Sequence, residues 1–86
     1  MAINSKKTYS IGDAEKITGV SQRMLRAWEG KHIPFPERIV CGDRAYRRYS
    51  EYHIQLLQLI KQYLENGYSI RGAAVNARNK LAEGGW

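Results

Sequence analysis

Seven cationic side chains fall within residues 22–50: Arg23, Arg26, Lys31, Arg38, Arg44, Arg47 and Arg48. Three acids, Glu29, Glu37 and Asp43, stand against them, so about a third of the chain carries net +4 of a total of +6. Arginine at this density suits a polyanion, because its planar fork pairs with phosphate and with the O6/N7 edge of guanine. The other chemistry-bearing residue types do not assemble. His32 and His53 have no third ligand nearby in sequence. Cys41 is the single cysteine, which rules out an internal disulfide and gives no zinc framework. Neighbouring arginines can activate a thiol, but a small strand residue is the simpler reading of Cys41. No nucleophile–base pair or metal cluster can be named, so neither enzymatic activity nor a cofactor is expected.

Short elements must position those cations. Ser10 and Asp13 form a capping pair ahead of a helix over 11–18, with Ile11, Ala14 and Ile17 as its apolar face. Gly19 ends that helix, and Val20 drops beneath the turn. Ser21 then caps a second helix over 22–30. Leu25 and Trp28 point inward, Met24 sits at their edge, and Gln22, Arg23, Arg26 and Glu29 point elsewhere. Two short helices across a Gly-Val-Ser turn have the pattern of a helix-turn-helix; a plain helical hairpin is the alternative. Pro34 and Pro36 make residues 31–38 an extended linker, pinned to the core by Ile33 and Phe35. A β-hairpin follows over 39–49, turning at Gly42-Asp43, with Arg44 and Ala45 as a wider version of the loop. Alternation puts Tyr46 and Arg48 on one face of the return strand, Arg47 and Tyr49 on the other.

Ser50 caps a long helix over 51–66. Its primary stripe is Ile54, Leu57, Ile60 or Lys61, and Leu64. A second stripe, Tyr52, Leu56, Leu59 and Tyr63, either joins it in one broad buried face or, the reading favoured here, is used in part for contact with a partner outside this chain's own core. Ser69 caps a last helix over 70–82, which buries Ile70, Ala73, Ala74, Ala77 and Leu81. The expected fold class is mainly α with a small β-hairpin: a winged helix-turn-helix of about four helices.

Eighty-six residues allow one domain with one small core. Residues 1–8 are expected to be a flexible N-terminus and 9–82 the folded domain. Residues 83–86 are a tail or the point where a longer chain is cut. The pI near 9.7 favours polyanionic partners. No apolar run approaches the ~20 residues of a membrane span, and a lone cysteine fits a reducing, cytoplasmic setting.

On this scaffold the helix over 22–30 is the candidate for the major groove. Ser21, Gln22 and Arg23 stand at its first turn, where free N–H groups suit phosphate. Arg26, one turn on, is the candidate for a base edge. Arg38, Arg44, Arg47 and Arg48 are assigned to holding the DNA backbone or entering the minor groove, and Lys31 is a further DNA-binding candidate.

The run Tyr9 to Ser21 (YSIGDAEKITGVS), the segment Leu25 to Glu29 (LRAWE) and the segment Tyr46 to Ser50 (YRRYS) together resemble the DNA-binding domain of MerR-family transcription regulators. Gly67-Tyr68-Ser69-Ile70 is similar to that family's junction between the last two helices. The likeness spans about residues 9–81. It is strongest to the branch of light- and cobalamin-responsive repressors and the curli regulator, and extends to small stand-alone relatives of the BldC type. It implies promoter DNA as partner, with Gln22, Arg23 and Arg26 at the major groove and Arg47 as the wing arginine on phosphate. It also implies doubling, as a homodimer, as a side-by-side oligomer on DNA, or through a segment outside this chain; RNA polymerase is a further implied partner. Two other functions stay open at this stage. One is a small architectural or recombination-directionality protein of the phage excisionase kind. The other is a protein-interaction module that uses Tyr52, Leu56, Leu59 and Tyr63.

Overall fold

Four serines start four helices. In each case the hydroxyl accepts the backbone N–H three residues on: Ser10 from Asp13, Ser21 from Met24, Ser50 from His53 and Ser69 from Gly72, at 3.1–3.3 Å. A cap of this kind is worth about 1 kcal/mol, enough to set where a short helix begins. The computed structural model describes residues 7–83; the expectations for 1–6 and 84–86 lie outside the described residues. The elements in order are β1 (Thr8–Tyr9), α1 (Ile11–Thr18), α2 (Gln22–Trp28), β2 (Glu37–Cys41), β3 (Arg44–Ser50), α3 (Glu51–Glu65) and α4 (Ile70–Ala82). This is a mainly helical winged helix-turn-helix, as expected.

The helix-turn-helix is locked at Gly19. Its φ of 78° lies in the left-handed region, which glycine enters without steric cost. Lys61 of α3 donates to the Gly19 carbonyl at 3.2 Å, and its Nζ occupies the space a side chain at 19 would need. The inner face of α1 differs from the expected one. Ala14 and Thr18 are buried, whereas Ile17 is 45% exposed. Thr18 can take the inner position because its hydroxyl is fully used: it donates to Ala14 O at 2.7 Å and accepts from Val20 N at 3.2 Å.

The sheet has three strands in the order β1-β3-β2, both pairings antiparallel. The hairpin is tighter than the wider loop considered above. Cys41 pairs with Arg44, so Arg44 and Ala45 are strand residues and the turn is Gly42-Asp43 alone. Strand β1, pairing Thr8 with Ser50 and Tyr9 with Tyr49, was not foreseen. It gives the marginal two-stranded hairpin a third strand. β3 then passes straight into α3, since Ser50 is both its last residue and the helix cap.

α3 is the central strut. Leu56, Leu57 and Ile60 are fully buried and His53 and Ile54 nearly so. α4 lies against it through Ala73, Ala74 and Ala77, whose small side chains allow close approach. The second stripe is therefore not an outer surface. Leu56 is core, Leu59 and Tyr63 pack against the core, and Tyr52 alone of the four is exposed. Three of the four are thus taken up, wholly or in part, within the domain itself. The linker anchors also differ by one residue. Ile33 and Pro36 are buried, but Phe35 is 70% exposed. Its ring lies over Gly30, at φ 75°, where any side chain would collide with it.

Leu56→Ala is expected to cost about 2–5 kcal/mol, as a large-to-small change in a close-packed core. Tyr52→Ala is expected to stay within about 0.5 kcal/mol. Urea denaturation of the two variants separates core from surface on this helix; equal losses would contradict the assignment.

Candidate nucleic-acid interface

α2 ends earlier than its sequence periodicity implies. The carbonyl of Trp28 accepts from the amides of Lys31, His32 and Ile33 at 2.9–3.2 Å, closing a tight loop. Glu29 leaves the helix with extended backbone, φ −57° and ψ 128°. That turn swings its side chain inward rather than off the buried face, and only 4% of the side chain remains exposed. Glu29 thus becomes the counter-ion of the wing. Its Oε2 accepts from Arg47 Nε at 2.5 Å and from the Tyr49 hydroxyl at 2.9 Å. Its Oε1 lies 3.9 Å from an Arg38 Nη. Burial first, and the Glu29 hydrogen bond second, push the Tyr49 hydroxyl well above its usual pKa, so Tyr49 is a fixed neutral donor.

The register explains why an acid is needed there. Arg38 and Arg47 are directly opposite across the β2–β3 ladder, and like charges so placed repel. Both ion pairs found among the described residues end on Glu29. On the other face of the wing, Arg48 serves a different purpose. Its Nε donates to Thr8 Oγ1 at 3.1 Å and its Nη2 to Thr8 O at 3.2 Å, which ties β1 to β3.

The candidate site residues therefore divide. Arg23, Arg26, Lys31 and Arg44 are exposed, and the Arg38 side chain is half-exposed. Arg47 and Arg48 are partly buried and engaged within the domain. Ser21 spends its hydroxyl on the α2 cap. Gln22 donates to Glu15 Oε1 at 3.1 Å and accepts from Arg26 at 3.4 Å, forming a polar relay from α1 to the exposed edge of α2.

Glu29, His53 and Thr8 were missed by sequence reasoning. For Glu29 the signal was Gly30 directly behind it, which marks an early helix end. For His53 it was position: three residues after Ser50, where a capping box carries Glu or Gln. His53 Nδ1 accepts from the Ser50 amide at 3.2 Å, so its Nε2 carries the proton and donates to Pro34 O at 3.0 Å. The ring also meets Tyr49 edge-on. One imidazole thus closes the α3 cap and fastens the linker leading into β2.

The sequence model described as MerR HTH family regulatory protein matches residues 9–80. The chain belongs to the MerR family. Within it, this MerR-family chain is 31% identical over 71 residues to the HTH-type transcriptional repressor CarH of Myxococcus xanthus, covering 81% of this chain and 23% of the relative. It is 31% identical over 72 residues to the HTH-type transcriptional regulator CueR of Escherichia coli O6:H1, covering 81% and 52%. Against CueR of Yersinia pestis the identity is 33% over 61 residues, covering 71% and 42%. The chain thus spans about half the length, or less, of the curated relatives it matches. MerR-family proteins are transcription regulators rather than enzymes, and the winged fold described above is the DNA-binding architecture of such regulators. Among the described residues no three His, Cys, Asp or Glu side chains are grouped to hold a metal ion, and no helix is long and apolar enough to cross a membrane.

The buried His53 links the stability of this MerR-family domain to pH. Burial lowers its pKa below the ordinary 6.5, while the Pro34 carbonyl and the Glu29 carboxylate pull weakly the other way. The unfolded chain therefore takes up the proton more readily than the folded one. The stability this contributes is complete above about pH 6.5 and falls as pH drops from there through the depressed folded value. The melting temperature is expected to decline from pH 7.5 to 5. Much of that decline should vanish in His53→Gln, which retains a capping acceptor, as followed by circular dichroism.

Proposed function

We propose that this domain binds specific sites in double-stranded DNA to regulate transcription, with α2 in the major groove and the β2–β3 wing along the adjacent backbone. The observation that carries this is the sorting of cations in a MerR-family fold. Arg23 and Arg26 stand exposed on the short second helix, and Lys31, Arg38 and Arg44 are exposed beside it and on the wing. A major groove admits a helix and displays a distinct donor and acceptor pattern for each base pair. In this reading Arg26, steadied by Gln22, reads a base edge. Arg23 and the α2 N-terminus hold phosphate or a base. Lys31, Arg38 and Arg44 neutralise backbone phosphates. Arg47 and Arg48 serve mainly to hold the wing in shape, since their side chains are engaged by Glu29 and Thr8. A single module of this kind buries only about 600–1,000 Å² on DNA, so two copies acting together are part of the proposal. The names of CarH and CueR, a repressor and a regulator of transcription, support the same role.

Selection of bound genomic fragments, followed by footprinting, tests the reading. Arg26→Ala is expected to lose about 1–3 kcal/mol of discrimination at one base pair. Arg44→Ala is expected to weaken all sequences alike and reduce the slope of log K against log salt by about 0.9. Absence of protection on every selected fragment at low salt would overturn the proposal.

A further inference from the structure

The buried carboxylate at the end of α2 has a role that the arginine count does not reveal. Glu29 is attached to the proposed reading helix, yet its oxygens are spent on the wing. Oε2 holds Arg47 and Tyr49 of β3, and Oε1 faces Arg38 of β2. All three partners therefore connect both strands of the wing to one side chain on α2. The wing cannot swing relative to α2 without separating Arg47 and Tyr49 from that carboxylate. The same charge neutralises one of two guanidinium groups that would otherwise face a duplex from adjoining strands.

We infer that Glu29 is a positioning residue for discrimination: it fixes the span from α2 to the wing and withholds wing charge from DNA of arbitrary sequence. The inference rests on the DNA-binding reading above. With the span fixed, the wing cations meet phosphates well only when α2 is also seated in its groove. With Glu29 neutralised, Arg47 is released to follow any backbone. Arbitrary duplex then gains contacts, while the selected site loses the geometric coupling between base reading and backbone holding.

The test compares a fragment recovered by selection with a random-sequence duplex of equal length, over a salt series. In Glu29→Gln, affinity for the random duplex is expected to rise, with the salt slope steeper by about 0.9 for each additional phosphate neutralised. The ratio of selected to random affinity is expected to fall about tenfold, equivalent to the discrimination carried by one good base contact. A merely structural role would instead weaken both duplexes together and leave the slope alone; that result overturns the inference. Adding Arg47→Gln supplies the cross-check. It should remove the gained random-duplex affinity in the Glu29→Gln background and have little effect on that duplex in the parent, a coupling read by the double-mutant cycle. Additive effects overturn the inference. Tyr49→Phe keeps the packing and removes one donor to Glu29, so it serves if Glu29→Gln folds poorly. It should lower the ratio without changing the slope, and an unchanged ratio overturns the inference.

Hydrogen exchange of the free proteins separates this claim from the one beneath it. Amides of β2 and β3 should exchange faster in Glu29→Gln while those of α3 and α4 do not. An unchanged wing overturns the positioning role even where the parent binds its selected site. Failure of the parent to bind any duplex overturns the DNA-binding reading and the discrimination claim with it.

Discussion

Two arginines face each other across the wing, and the domain can hold them there only because a carboxylate stands against both. The Arg38–Arg47 pairing follows directly from the hairpin register. Left alone it would push the strands apart. Glu29 answers it from another element, and Tyr49 completes the arrangement with a neutral hydroxyl. Breaking such a pair by removing one partner strands a buried or half-buried charge, which is costlier than never having built it. Much else follows from this local requirement. α2 must stop at Trp28 so that Glu29 can turn inward, Gly30 must permit the sharp reversal, and Tyr49 must be buried to reach the carboxylate. The orientation of the wing relative to α2 is thus a by-product of charge compensation.

The large elements were legible in the sequence because their signals are local. Four serines at cap positions located the helix starts within a residue, and the Gly-Val-Ser turn and the Gly-Asp turn lie where they were expected. α4, over Ile70–Ala82, has the predicted bounds. Two of the failures share one cause: competition between neighbouring residues for a single inward position. Thr18 won over Ile17 because a threonine can satisfy its own hydroxyl on the preceding turn of helix. Pro36 won over Phe35 because the linker reverses at Gly30 before reaching the core. Leu56 belonged to the core because α3 is buried over more than its primary stripe, an extent that periodicity on α3 alone cannot fix. Strand β1 is two residues long and carries no alternation to detect; its pairing depends on Arg48, forty residues away.

The candidate site was legible as a composition and not as an arrangement. Counting identified seven cations in one region, but counting treats them as equivalent. The structure separates them by what each already holds. Arg47 and Arg48 are occupied within the domain, Arg26 is lightly steadied by Gln22, and Arg23, Lys31 and Arg44 present their charge to solvent. The acid that performs this sorting looked like an ordinary surface residue, because Gly30 signals that the helix ends nearby but not that Glu29 turns inward as it leaves.

The junction at Ser50 bears on how the molecule assembles in time. The strand that completes the sheet, Thr8–Tyr9, is synthesised ahead of its partners Tyr49 and Ser50, which follow some forty residues later. Closing a loop of that length carries an entropy cost that only long-range contacts can offset, whereas the two capped helices between them need only near neighbours. Topology of this kind favours early local helices and late strand registration. The N-terminal strand therefore waits for the wing and the start of α3. By the time it docks, the helix-turn-helix and the hairpin can already have met through Glu29, so that β1 acts as a closing seam rather than a nucleus.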